Sequence, residues 1–296
     1  MHWNKITIRA SPGMLEELEG LLWDLSAVSV TVTDSEDNPI YEPGPGETPL
    51  WSKLDVCGLF EQDVDRDELA QRIEGMGYQV LSSEELGDRH WEREWLSRFK
   101  PMQFGRRLWI CPSDQTVPDV NSVVVKLDPG LAFGTGTHAT TRLCLEWLDM
   151  NALQGIRVVD FGSGSGVLGI AALLLGAKSV LAVDNDPQAL RATTDNSERN
   201  KVGQYLATRL ADEQERIEKI APDSPYDLVI ANILAQPLVD LSSRLVTMLK
   251  PGGYLLLSGI MESQRSWVEA AYQGIVEFDT CTRGDGWVCL HAKKNE

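Results

Sequence analysis

The sequence predicts an α/β protein that combines a Rossmann-like domain with a smaller α+β domain at its amino-terminal end. Its 296 residues are enough for two domains with separate cores. A buried strand, a glycine-rich turn and an apolar helix follow one another from Val158 to Leu175, as in a parallel βαβ unit. The first third of the chain instead alternates short strand and helix patterns. These two observations predict the two kinds of domain.

Strand and helix patterns in the first third follow the order βαββαβ. A loop rich in proline and glycine, Asn38 to Pro49, separates the second strand from the third. This order is typical of a ferredoxin-like domain, which we assign to residues 1–83. The predicted elements are strand Trp3–Arg9, helix Pro12–Leu25 capped by Ser11, strand Val28–Thr33, strand Ser52–Leu59, helix Arg66–Gly75 and strand Tyr78–Ser82.

Residues 84–101 are predicted to form a linker helix between the domains. Trp91, Trp95 and Phe99 recur at every fourth position, which places them on one face of a helix. Residues 102–296 are assigned to the second domain. Before its glycine-rich turn, this domain is predicted to contain strand Arg107–Cys111, strand Val123–Leu127 and helix Ala139–Leu148.

The glycine-rich turn has the features of a nucleotide-type cofactor site. A strand of β-branched residues ends at Asp160, and Gly162 and Gly164 then allow the backbone to turn tightly and approach a ligand. Asp184 closes the next predicted strand, where a carboxylate can accept both hydroxyl groups of a ribose.

Two cofactor classes fit this pattern. Gly164, Gly166 and Gly169 match the dinucleotide fingerprint, with Asp184 twenty residues beyond Gly164. The carboxylate of Asp160, however, disfavours a pyrophosphate and favours the cationic amino-acid end of S-adenosylmethionine. We therefore predict S-adenosylmethionine as the cofactor, with a nicotinamide-dependent oxidoreductase as the alternative.

A polar, glycine-rich segment from Asp128 to Thr141 leads into the helix that precedes the core. It carries Phe133, Thr137 and His138, and is suited to closing over a cofactor and excluding water. His138 could act as a general base. A lone histidine near a helix start more often makes a structural hydrogen bond, and we favour that role.

The composition excludes several functional classes. No apolar run approaches the length of a membrane span, and the first ten residues lack a signal-peptide pattern, so a cytoplasmic enzyme is expected. Five cysteines without a C-x-x-C pair fit reduced thiols rather than disulfides. Four scattered histidines make a metal site improbable.

Negative charge is concentrated at the amino-terminal end. Residues 1–90 contain 6 Lys and Arg against 19 Asp and Glu, a net charge of −13, whereas the whole chain carries −17. Such a domain repels nucleic acid and attracts a basic partner. The alternative is a charged face that serves only solubility.

Taken together, these motifs resemble the PrmA family, the bacterial methyltransferases that modify ribosomal protein L11. The resemblance spans the whole chain, including the Pro45–Thr48 loop and the Trp91–Trp95 linker. The segments that carry most of it are Asp128–Thr141, Asp160–Gly166, Val183–Pro187, Ala231–Ala235 and Leu257–Ile260.

The resemblance implies a class I methyltransferase fold and an Asn232 side chain beside the reacting centre. One departure is Ser163, where many relatives carry cysteine. Ile-Leu-Ala follows Asn232, which argues against the adenine and glutamine-amide substrates of enzymes with Pro-Pro and an aromatic residue there. The predicted cofactor-binding residues are Phe133, Thr137, Thr141, Asp160, Gly162, Gly164, Asp184 and Asn232, and Asn232 is also the predicted catalytic residue.

The resemblance further implies a protein N-methyltransferase. Its substrates would be lysine ε-amines and the amino-terminal α-amine of ribosomal protein L11, recognised by the acidic first domain. We expect a monomer that needs neither nucleic acid nor a membrane. A methyltransferase directed at another protein remains the main alternative, because the catalytic half alone does not name the substrate.

Overall fold

The computed structural model describes residues 3–36, 49–87, 100–117, 121–128, 136–211, 221 and 224–296. The chain divides into two compact units, residues 1–93 (unit 1) and residues 94–296 (unit 2). Most of the predicted proline-rich loop, residues 38–48, and most of the predicted linker helix, residues 88–99, lie outside the described residues.

Unit 1 is a four-stranded antiparallel sheet with two helices. The strand order is β2-β3-β1-β4, which is the order that a βαββαβ chain adopts in a ferredoxin-like fold. The predicted fold of this unit is therefore confirmed. Its elements are β1 (Trp3–Ala10), α1 (Leu15–Asp24), β2 (Ser29–Asp34), β3 (Leu54–Glu61), α2 (Arg66–Gly75) and β4 (Gln79–Leu86).

The core of unit 1 lies between the sheet and the helices. Ile6 and Ile8 of β1 are fully buried and share one face of the strand, because successive strand residues alternate between faces. Leu18 and Leu22, four residues apart on α1, are also fully buried. At the start of α2, the Asp65 carboxylate caps the helix by accepting hydrogen bonds from the backbone of the first turn.

Two details of unit 1 differ from the sequence prediction. Residues 84–86 belong to β4 rather than to a linker helix. They pair with the first residues of β1, and the last pair is Leu86 with Trp3. The Ser11 side chain makes no capping hydrogen bond; its backbone carbonyl instead accepts from Met14 N–H in a 3₁₀ turn that precedes α1.

Unit 2 contains a three-stranded sheet, a seven-stranded sheet and six described helices. The small sheet consists of β5 (Met102–Phe104), β6 (Leu108–Cys111) and β7 (Val123–Lys126). The large sheet consists of β8 (Arg157–Phe161), β9 (Ser179–Asp184), β10 (Leu206–Leu210), β11 (Tyr226–Asn232), β12 (Leu249–Met261), β13 (Val276–Gly284) and β14 (Trp287–Lys294). The helices are α3 (Ala139–Met150), α4 (Val167–Leu174), α5 (Pro187–Arg199), α6 (Ala235–Asp240), α7 (Ser242–Thr247) and α8 (Arg265–Ala271).

The large sheet has the order β10-β9-β8-β11-β12-β14-β13. The first five strands are parallel, whereas β14 runs antiparallel to both of its neighbours. Apolar clusters cover both faces; along β8, Val158 belongs to one cluster and Val159 to the other. From β8 the chain proceeds to β9 and β10 on one side, and then returns to β11 on the other. This reversal makes a topological switch point, where ligands bind at the carboxyl ends of the strands.

In the part of the chain that the structure describes, no helix is long and apolar enough to cross a membrane.

Candidate active site

The glycine-rich turn lies at the switch point, directly after β8. Gly162 has a φ of +75°, a conformation that glycine adopts readily because it has no Cβ. The backbone N–H groups of Gly162 and Ser163 donate to the Val183 carbonyl, at 2.7 and 3.1 Å. The turn is therefore fixed to the end of β9 by its own backbone.

Asp184 ends β9 and lines a pocket of about 230 Å³ at this edge of the sheet. Its Oδ2 accepts from Gly164 N–H at 2.9 Å, and its Oδ1 accepts from Asp186 N–H at 3.0 Å. These two bonds fix the carboxylate, and each oxygen retains a second acceptor position. The predicted partner for ribose hydroxyls is therefore held in place at the pocket wall.

Helix α5 supports the turn through two buried side chains that the sequence reasoning missed. Thr193 Oγ1 donates to the Gly164 carbonyl at 3.0 Å, and Asn196 Nδ2 donates to the Ser165 carbonyl at 2.9 Å. Their spacing could have revealed them, because this threonine and asparagine lie one turn apart on the same buried helix face as Ala189.

Asp160 lies beneath the turn and is 1% exposed, and it does not line the pocket. Its Oδ2 accepts from Gly169 N–H at 2.9 Å, whereas Oδ1 has no hydrogen-bond partner among the described residues. Burial, with a smaller contribution from nearby Asp184, raises the pKa of Asp160 to about 7 against the lowering effect of the Gly169 bond. The negative charge expected from the sequence is therefore only partly present at neutral pH.

Asn232 lies at the end of β11 and lines the same pocket as the glycine turn. Its Nδ2 donates to Thr141 Oγ1, at 3.3 Å, in the first turn of α3. The structure thus brings together two predicted site residues that are ninety-one positions apart in the chain. The pocket is also lined by residues not predicted as contacts, namely Ser163, Val167, Leu168, Asn185 and Ile233.

The remaining predictions concern the segment before α3. Phe133 lies outside the described residues, and Thr137 is exposed and is not part of the pocket lining. His138 is the N-cap of α3: its Nδ1 accepts from Thr140 N–H, and its ring packs edge-on against Trp287 at 4.9 Å. Burial lowers the pKa of His138. The structural role favoured for this histidine is confirmed.

The pocket fits S-adenosylmethionine in its donor and acceptor groups. Gly162 and Gly164 allow the backbone to approach a ligand, and Asp184 offers acceptors suited to two ribose hydroxyls. The buried Oδ1 of Asp160, which has no hydrogen-bond partner among the described residues, suits a cationic group reached through water. Thr141 and Asn232 supply further polar groups to the pocket lining.

The strand order, with its antiparallel β14 and its pocket at the switch point, is that of the class I S-adenosylmethionine-dependent methyltransferases. The chain matches the family described as Ribosomal protein L11 methyltransferase (PrmA) over residues 2–295. The protein therefore belongs to the PrmA family.

Individual relatives match both units. The chain is 45% identical over 302 residues to the Ribosomal protein L11 methyltransferase of Histophilus somni strain 129Pt, with 100% of this chain and 99% of that protein covered. Identity to the protein of the same name from Azotobacter vinelandii is 47% over 293 residues, covering 97% and 98%. A crystal structure of ribosomal protein L11 methylase from Lactobacillus delbrueckii subsp. bulgaricus is 32% identical, with a TM-score of 0.59, covering 67% of this chain and 100% of that one.

Proposed function

We propose that this protein methylates ribosomal protein L11, at lysine ε-amines and at the amino-terminal α-amine. The observation that carries the proposal is the family match over residues 2–295, which includes unit 1 as well as the cofactor-binding unit. A methyltransferase that shared only the catalytic half would leave the substrate open. The residues in the pocket, in particular Asn232 beside the glycine turn, support an amine as the methyl acceptor.

When bound, S-adenosylmethionine supplies an electrophilic methyl carbon, so that a nitrogen–carbon bond forms as the carbon–sulfur bond breaks. The protein must present a neutral amine, although a free lysine has a pKa of about 10.4. A pocket with little water, beside a positive charge, lowers that pKa and releases the proton to solvent. The chain itself then has to orient the amine and exclude water.

Asn232 is the residue that we propose orients the amine. Its Nδ2 is turned toward Thr141, so its amide oxygen is the group available to accept a hydrogen from the amine. That hydrogen bond points the nitrogen lone pair toward the methyl group. We assign no base function to His138, because it does not line the pocket and its Nδ1 is engaged by Thr140 at the start of α3.

For the first domain, which extends through the end of β4 at Leu86, we propose substrate recognition, with residues 87–101 as the connection and residues 102–296 as the methyltransferase domain. In the described part of unit 1, the acidic side chains of both helices and of the β3–α2 turn are largely exposed; among them are Glu16, Glu17, Asp63 and Glu74. Negative charge of this density attracts a basic ribosomal protein and repels nucleic acid. We propose that the enzyme acts as a monomer on L11, without a membrane.

The test is to incubate the protein with isotopically labelled S-adenosylmethionine and unmethylated ribosomal proteins, and to locate the label by peptide mass spectrometry. Label on lysine and amino-terminal amines of L11 is the expected result. The Asp184→Ala variant should incorporate none, because it loses the carboxylate that holds Gly164 and faces the ribose. Label on a different protein would retain the methyltransferase but overturn the substrate.

A further inference from the structure

The segment Leu257–Ile260 at the end of β12 has no role in the function described so far. Within it, Gly259 has a φ of +86° and lies directly against the turn that follows β11. A Cβ at this position would overlap the Ile233 carbonyl oxygen and lie 2.7 Å from the carbonyl carbon. The backbone of β12 therefore touches the peptide that follows Asn232, with no room for a side chain between them.

The opposite side of Ile233 is equally confined. A Cβ on Gly162, in the turn after β8, would overlap Cγ2 of Ile233. Ile233 is thus in close contact with two glycines of positive φ, Gly162 in the turn after β8 and Gly259 on β12. These contacts restrict both the backbone and the side chain of Ile233, the residue that directly follows Asn232.

Ser258 holds the partner of Asn232. It lies opposite Asn232 in the β11–β12 ladder, is fully buried, and donates through Oγ to the Thr140 carbonyl at 3.1 Å. Thr141 follows immediately and accepts the hydrogen bond from Asn232 Nδ2. The end of β12 therefore contacts the chain on both sides of the Thr141–Asn232 pair.

We propose that Ser258 and Gly259 are positioning residues for methyl transfer, which set the distance and angle at which Asn232 presents the acceptor amine. The inference rests on the proposed function, because it assigns these residues to the same reaction. Neither residue lines the pocket. Displacements of about 1 Å in such a supporting residue can lower the rate about 100-fold, because the displacement geometry is strict.

Gly259→Ala tests the contact with Ile233, and Gly252→Ala is its matched control. Gly252 lies on the same strand with a φ of +70°, but the nearest atom to its Cβ position is Lys293 Cε at 3.5 Å, an ordinary contact. Both variants carry the backbone strain of alanine at positive φ, and only Gly259→Ala displaces the Asn232 turn. We expect kcat toward L11 to fall about 100-fold in Gly259→Ala and to stay near wild type in Gly252→Ala.

If Gly259→Ala does not fold, Ser258→Ala tests the positioning role instead. Its control is Ser197→Ala, which removes another buried hydroxyl that donates to a backbone carbonyl, in this case Thr194 at 2.7 Å. We expect Ser258→Ala to lower kcat with a much smaller change in the dissociation constant of S-adenosylmethionine, and Ser258→Thr, which keeps the hydroxyl, to recover part of the rate. The control should lower the melting temperature alone.

The outcomes separate the two proposals. A wild type that transfers no methyl group to L11 overturns the proposed function and this inference with it. An active wild type whose Gly259→Ala and Ser258→Ala variants keep the kcat of their controls overturns the inference alone. A loss confined to melting temperature, with unchanged kcat, would likewise reduce both residues to a structural role.

Discussion

Among the described residues, unit 1 buries two polar side chains, Asn4 and Thr7, whereas unit 2 buries eleven. Most of the eleven lie close to the glycine turn or to the start of α3, where they hold backbone carbonyls and each other. Buried hydrogen bonds of this kind fix geometry, since an unpaired polar group in the core is costly. Unit 1 instead carries its distinctive chemistry on the surface, as negative charge. The comparison supports the proposal that unit 2 aligns the reacting atoms and that unit 1 recognises a partner by charge.

The largest expected effect separates two asparagine side chains, one in each unit: Asn232, which is partly exposed, and Asn4, which is buried. Asn232→Ala should lower kcat about 100-fold, because the amine loses the group that orients its lone pair. Asn4→Ala removes an Nδ2 that donates to the Val64 carbonyl at 2.9 Å, so it should destabilise unit 1 by about 1–3 kcal/mol and leave kcat unchanged. Steady-state kinetics and denaturant unfolding of both variants measure this contrast. Equal loss of kcat in the two variants would contradict the division of roles.

The sequence predicted the elements of both units because their apolar patterns follow from burial. It also located Asp184, from its place at the end of the strand after the glycine turn, whereas Asn232 was predicted from the resemblance to the PrmA family. It missed Thr193 and Asn196, because nothing in the local pattern of α5 shows which backbone groups they meet across the fold. Residues 84–86 were assigned to a helix because the sequence does not show that β1 extends far enough to pair with them.

Asp160 shows a further limit of sequence reasoning. The sequence reveals a carboxyl group before the glycines but not its burial, which determines its charge. In the structure, burial raises its pKa to about 7, so the prediction of a fixed negative charge was incomplete.

The surface charge of unit 1 gives the second prediction. Neutralising four exposed acidic residues of unit 1 should lower kcat/KM for L11 about ten-fold at low ionic strength, and less at high salt, because steering between charged surfaces is screened. The same number of neutralised charges on α5 and β13 of unit 2 is the control and should have little effect. The unit 1 variant is Glu61→Gln, Asp63→Asn, Glu74→Gln and Glu84→Gln, and the control variant is Asp195→Asn, Glu198→Gln, Glu277→Gln and Asp279→Asn.

If kcat/KM of the wild type did not depend on salt concentration, the charge of unit 1 would play no part in the encounter with the substrate. The proposed difference between the two units would then be wrong. A matching loss in the unit 2 control would show that total charge matters, rather than its location.

The third prediction concerns the affinity for S-adenosylmethionine as a function of pH. In the protein without cofactor, Asp160 binds a proton below pH 7, and a cationic ligand group favours the deprotonated form. Affinity should therefore rise about ten-fold from pH 6 to pH 8, with proton release on binding at pH 6. Asp160→Asn should remove this pH dependence. Calorimetry in buffers of different ionisation enthalpy measures both quantities, and an unchanged slope in the variant would exclude Asp160 as its source.

The raised pKa of Asp160 also predicts how the free energy of unfolding changes with pH. Because the pKa of Asp160 is raised on folding, the native state holds this proton more tightly than the unfolded state. Its contribution therefore favours folding at low pH and is lost as the pH rises toward 7. The difference in unfolding free energy between wild type and Asp160→Asn, followed from pH 5 to pH 8, should show this trend.

The smallest expected effect compares two helix caps of the same chemistry. Asp65 accepts from the first turn of α2 in unit 1, and Asp186 accepts from Gln188 N–H at 2.8 Å at the start of α5 in unit 2. Both side chains are exposed, so each replacement by alanine should lower the stability of its own unit by about 1 kcal/mol. Thermal unfolding followed unit by unit, for example by hydrogen exchange, measures the two losses separately.

The two caps should differ in their effect on the cofactor. The backbone N–H of Asp186 donates to Asp184 Oδ1, so loosening the start of α5 also loosens the carboxylate that faces the ribose. If Asp184 binds the ribose as proposed, Asp186→Ala should weaken S-adenosylmethionine binding and Asp65→Ala should leave it unchanged, although the two variants lose similar stability. If both variants bound S-adenosylmethionine as tightly as the wild type, the hydrogen bond from Gly164 N–H would be sufficient to hold the Asp184 carboxylate. The polar contacts of unit 2 would then act independently of one another.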